Sequence, residues 1–113
     1  MYARVAHFEG GTPEVIEHQV DVLSRDIAAA REGTATNPST IALSRVVDRV
    51  VMLVDRENVS AVTIVYCDSH DDLLEADRIL RSMSAPGARG RRTSVDMYEV
   101  AFDDSPRAQK KAA

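Results

Sequence analysis

The chain predicts an α+β domain: a four-stranded antiparallel sheet with two helices on one face. Three observations carry this. Residues Val46 to Leu74 read as strand, tight turn, strand and capped helix start. Two further strand-like segments lie near the ends, Tyr2 to Phe8 and Thr93 to Phe102. Amphipathic helical patterns separate the first strand from the second and the third from the fourth. The order strand-helix-strand, strand-helix-strand is a duplication of architecture without a repeat of sequence.

Tyr2 to Phe8 alternates as a strand and ends at the turn signal Glu9-Gly10-Gly11. Thr12 then caps a helix, Pro13 suits its first turn because its missing N–H would be unpaired there, and Glu14 complements the positive helix end. Ile16, Val20, Leu23, Ile27 and Ala30 form the apolar stripe to about Arg31, and Gly33 ends the helix. From Thr34 to Ser44 the chain turns small and polar, with Asn37-Pro38 reading as a block to regular structure. A mobile loop with a short turn at Ile41 to Leu43 is expected there. The central hairpin follows, with strands of about Val46 to Asp55 and Val59 to Cys67 around Arg56-Glu57-Asn58. Ser69 to Asp72 has the form of a capping box, and Leu73, Ala76, Leu80 and Met83 recur at helical spacing. Pro86-Gly87 stops that helix, the loop Ala88 to Arg92 leads to the last strand, and Asp103 to Ala113 reads as a disordered polar tail. One domain of residues 1–102 is expected.

A length of 113 residues fits one domain, and 44% apolar with 28% charged residues describes a globular chain. The apolar runs are too short to span a bilayer, and Met1 leads straight into a strand pattern without the features of a signal peptide, so a cytoplasmic protein is expected. Cys67 is the single cysteine, which excludes an internal disulfide and a multi-cysteine metal site; it reads as a small apolar strand residue. A net charge of −4, with three tyrosines, two phenylalanines and no tryptophan, disfavours a nucleic-acid surface.

Both central strands are apolar on both faces. Val46, Val50, Met52 and Val54 fall on one side of the first and Val47, Val51 and Leu53 on the other. A sheet of that kind needs two covers, and the helices supply one, so a second copy of the chain is expected on the other.

The six elements in that order make a ferredoxin-like βαββαβ unit with one sheet face bare. Met1-Tyr-Ala-Arg-Val5, Leu53-Val-Asp-Arg-Glu57, Val62-Thr-Ile-Val-Tyr66 and Asp96-Met-Tyr-Glu-Val100 together resemble the dimeric α/β-barrel superfamily, in its antibiotic biosynthesis monooxygenase-like branch. The resemblance spans residues 1 to 102. It implies that two protomers join their bare sheet faces into a barrel. Members of that superfamily include quinone-forming oxygenases that use no cofactor, haem-degrading oxygenases, isomerases and many proteins without known activity, so the likeness does not fix the chemistry. The haem-degrading pattern of a first-strand Asn, a third-strand Trp and a second-helix His is missing: the third strand ends Tyr66-Cys67, and Ala76 and Asp77 stand where that His would be.

Five polar residues on or beside apolar strands are the candidates for a pocket: His7, Arg4, Arg49, Tyr66 and His70. An imidazole at a strand end suits a proton acceptor near neutral pH, against a plain structural or half-exposed histidine for His7. Tyr66 suits a donor to a phenolic or quinone oxygen, against an apolar filler with a wet tip. Arg4 and Arg49 suit an anion clamp, against ion pairing with acids such as Asp48, Asp55 and Asp96; His70 falls in a first helical turn, where exposure is the default. The run Arg89, Arg91 and Arg92 reads as solvated surface and the acids Asp68, Asp71 and Asp72 as helix capping. No glycine-rich phosphate cradle, nucleophile elbow or His/Cys ligand cluster is present, so no cofactor or metal is expected.

The function expected is that of a small-molecule protein: a homodimeric barrel with a pocket between sheet and helices for an apolar or aromatic compound. Its enzymatic form is a cofactor-independent monooxygenase with His7 as base and Tyr66 or Arg4 on the developing oxyanion, with Arg49 and His70 against the substrate. The alternative is a non-catalytic ligand-binding or protein-interaction module of the same fold. Nucleic acid and membrane are not expected partners.

Overall fold

The computed structural model describes residues 1–83 and 91–104. Four strands and three helices alternate as β1 (Tyr2–Glu9), α1 (Pro13–Glu32), α2 (Pro38–Val46), β2 (Arg49–Asp55), β3 (Ser60–Cys67), α3 (His70–Met83) and β4 (Arg91–Glu99). The sheet is antiparallel throughout, in the order β2-β3-β1-β4. The Pro86-Gly87 stop, Arg89 and the tail from position 105 onward lie outside the described residues.

The long helix forms as its caps dictate. Thr12 accepts from the Val15 amide, Pro13 opens the first turn, and Gly33 closes the helix at φ 76°, a left-handed geometry that suits glycine. The stretch expected to be a loop is instead helix α2. Asn37 is its N-cap, its side chain accepting from the Ser39 amide at 2.9 Å, and Pro38 occupies the first turn. The dipeptide that reads as a breaker is here a start signal, since a cap residue must be non-helical and proline is tolerated immediately after it. As a consequence Val46 ends a helix, Val47 caps it and β2 begins only at Arg49. The last strand is also displaced, ending at Glu99 rather than Phe102.

Paired residues on adjacent strands share a face, so the register divides the sheet. Tyr2, Arg4, Ala6 and Phe8 align with Cys67, Val65, Thr63 and Ala61 of β3, which align in turn with Val50, Met52 and Val54 of β2. This is the helix side. Val65 and Cys67 pack there with Leu73 and Ala76 of α3, and Leu43, Val46, Val47, Val50 and Leu80 close around them. The buried residues of α3 are Leu73, Ala76 and Ile79, while Met83, expected on the core stripe, is 40% exposed. Ser69 caps α3 through a 3.1 Å bond to the Asp72 amide.

The opposite face carries three cross-strand rows through its centre, beyond which Asp55, Ser60 and Glu9 form a polar end row. Arg49, Tyr66, Ala3 and Tyr98 form the first; Val51, Ile64, Val5 and Asp96 the second; Leu53, Val62, His7 and Ser94 the third. Its middle is apolar. Leu53 and Tyr98, at its corners, are 52% and 55% exposed. Ala3 is nonetheless buried, lying between the two tyrosines of its row.

Candidate functional site

The five candidate residues separate into two groups, because strand alternation sends neighbours to opposite sides. His7, Tyr66 and Arg49 stand on the open face, and Arg4 and His70 belong to the helix side. Tyr66 and Arg49 are cross-strand partners, with the guanidinium 5.5 Å from the ring centroid, a cation–π arrangement. His7 is exposed, beside a bulge in β4. Its register partner is Val62, four residues from Tyr66, so the two lie roughly 13 Å apart along the strand at ~3.3 Å per residue. One reacting atom cannot touch both within one chain, since acid–base partners must come within hydrogen-bond reach. Pairing Arg4 with His7 on one oxyanion meets a further obstacle: the sheet stands between them.

On the helix side a second arrangement forms. Arg4 is 3% exposed, the single buried charged residue among those described. Its Nε donates to Asp77 Oδ1 at 2.8 Å, and Arg81 Nε bridges both oxygens of the same carboxylate at 3.0 and 2.9 Å. Burial alone would raise the Asp77 pKa, but the hydrogen bonds and charges of Arg4 and Arg81 outweigh it and hold the carboxyl below its usual value. Two guanidinium groups therefore share one carboxylate, leaving a net charge of +1. Arg4 Nη2 is buried and has no hydrogen-bond partner among the described residues. Leaving such a donor unmet costs about 1–3 kcal/mol, and more when the group is charged.

Helical spacing extends this arrangement. His70, Leu74, Asp77 and Arg81 recur at four, three and four residues, so they share one stripe of α3. Its contacts with the sheet are set at two points: His70 meets Tyr2 edge-on, centroids 5.5 Å apart, and Asp77 meets Arg4. Leu74 falls between them and is 44% exposed; Met97, the β4 partner of Arg4, is 42% exposed. The buried Arg4 thus has two partly bare apolar side chains near it in register and helical spacing. Sequence reasoning identified Arg4 and His70 but missed Tyr2, Leu74, Asp77 and Arg81. The available signal was the stripe beside the core stripe of α3, carrying an acid and a base four residues apart.

Two other features bear on chemistry. Cys67 is fully buried, and burial together with the charges of Asp48, Asp72 and Asp68 pushes its thiol up to about 11, so it stays protonated. Asp48 is raised, first by the hydrogen bond it shares with Asp68, then by burial and the charges of Asp68 and Asp72. No group of three or more metal-ligating side chains occurs among the described residues, nor a helix long and apolar enough to cross a membrane. A shallow depression on α1, lined by Glu17, His18, Val20, Asp21 and Ser24, includes none of the candidates. Comparison with family models, with curated proteins and with solved structures gives no match.

Proposed function

We propose that this protein is a homodimer of the dimeric α/β-barrel type, akin to the antibiotic biosynthesis monooxygenase-like branch, which binds a small apolar or aromatic molecule. The observation that carries the reading is the open sheet face: Val5, Val51, Leu53, Val62 and Ile64 make a contiguous apolar centre. Soluble chains seldom leave such a patch to water, and a two-fold partner presents the same patch in return. Read from the β4 edge, the strand order is 4-1-3-2 with every pair antiparallel, which supports a ferredoxin-like unit to which α2 has been added. The ligand belongs on the helix side, where the Arg4 donor is unmet, Met97 is the register partner of Arg4, and Leu74 and His70 share the α3 stripe of Asp77. The binding module is the form this geometry favours, since His7 and Tyr66 are too far apart in one chain to act together.

The narrower enzymatic reading, cofactor-independent oxygenation of an aromatic compound, requires the partner's sheet face to bring a second set of groups to His7. Light scattering on the wild-type chain tests the proposal. A mass twice the 12.4 kDa of one chain is expected, and a single-chain mass at tens of micromolar would remove it.

A further inference from the structure

We infer that the ligand taken on the helix side is a monocarboxylate with an apolar body, its carboxylate seated on Arg4. The inference rests on the ligand-binding reading above, and not on the dimer. Arg4 is nine-tenths buried or more, commits Nε to Asp77 and leaves Nη2 without an acceptor among the described residues. Asp77 does not supply the missing acceptor: it takes Arg4 through Nε and Arg81 through Nε, and Nη2 makes no bond to it. The site's net charge of +1 calls for one negative charge, and a carboxylate matches the planar guanidinium better than a neutral oxygen does. Phosphate suits the site less well: its greater charge would find one unmet buried donor and apolar neighbours. The apolar body would lie over Leu74, about one turn before Asp77 on α3, and Met97, the β4 partner of Arg4, both partly bare. Met97 is unbranched and flexible, so it is the side chain that moves aside to open Nη2 to the ligand.

The experiment uses the full chain and a matched panel: benzoate, 1-naphthoate and octanoate, the amides of the same acids, and inorganic phosphate. Thermal midpoint shifts and calorimetric affinities are the readouts. The carboxylates are expected to raise the midpoint, with the amides and phosphate near silent, and Arg4→Met is expected to weaken carboxylate binding about 10- to 100-fold. Should Arg4→Met not fold, Met97→Glu serves instead. It places a carboxylate opposite Arg4, and is expected to raise the midpoint of the free protein and abolish binding of the acids. Amides binding as well as acids, acids binding equally to the Arg4 or Met97 variant, or no shift with any acid at millimolar concentration would each overturn the inference. A dimer that takes neutral aromatics but no acid overturns the inference while leaving the ligand-binding reading standing. A monomer that takes the acids supports it and removes only the dimer.

Discussion

Among individual residues, Arg4 and Asp77 dominate, because each is costly without the other. Removing one partner of a buried pair leaves an uncompensated charge and typically costs about 3–5 kcal/mol. Asp77→Ala should therefore destabilise the fold by about that amount in urea denaturation, whereas Arg25→Ala, in the exposed pair with Asp21, should cost under about 1 kcal/mol. Acid titration gives the matching sign. The Asp77 pKa is lowered in the fold, so its contribution is present above the unfolded value near ~3.9 and is lost as pH falls through the folded one. Asp48 runs the other way: its pKa is raised, so its contribution is present below about 3.9 and disappears as pH rises. Asp48→Asn should accordingly raise the urea midpoint at pH 7 and make little difference below about pH 4; a lower midpoint at pH 7 would show that the two carboxyls do not repel. Cys67, with its thiol near 11, should resist Ellman's reagent at pH 8 until the protein unfolds.

At the scale of elements, what was legible in the sequence was what local chemistry alone determines. The caps Thr12, Gly33 and Ser69 and the hairpin turn lie within a residue or two of where their side chains predict, while the first hairpin strand begins three residues late, at Arg49. Helix α2 was missed because its nine residues lack a strong stripe; its place comes from Leu43 and Val46 packing on the core, which is a tertiary fact. Asn37→Ala should cost about 1 kcal/mol as a lost N-cap, and amides from Ile41 to Val46 should exchange slowly. Exchange there as fast as at Thr34 to Thr36 would restore the loop reading. The face of each strand residue was also hidden from the sequence, since a hairpin apolar on both sides has no pattern by which to set its register. Arg4 and His7 are a different case: three residues apart on one strand, they fall on opposite faces by alternation alone, which the sequence already contains. The turn into β3 keeps Val59 at φ 53°, where a β-branched side chain is strained. Val59→Asn should raise the unfolding midpoint.

For the whole molecule, the question is what covers the second face of the sheet. Helices α2 and α3 pack on the first face, with α1 against α2. The second has an apolar centre, with Arg49 at one edge strand and Asp96 at the other. An isologous pairing of two such faces would bury the valines and Ile64 and leave the charges at the rim, the usual anatomy of a protein interface. If the chain turns over an aromatic compound, His7→Ala should lower the rate about 10²- to 10⁴-fold; activity unchanged within a few-fold would take His7 out of the mechanism.

The most direct measurement compares two charged variants of adjacent faces in β2 with the wild type, by light scattering and circular dichroism together. Leu53 points to the open face and Val50 into the helix-side core. A wild-type dimer, a folded monomer for Leu53→Asp and loss of folded structure for Val50→Asp are expected. A wild-type monomer, or a Leu53→Asp chain that remains a folded dimer, would contradict pairing through the open face.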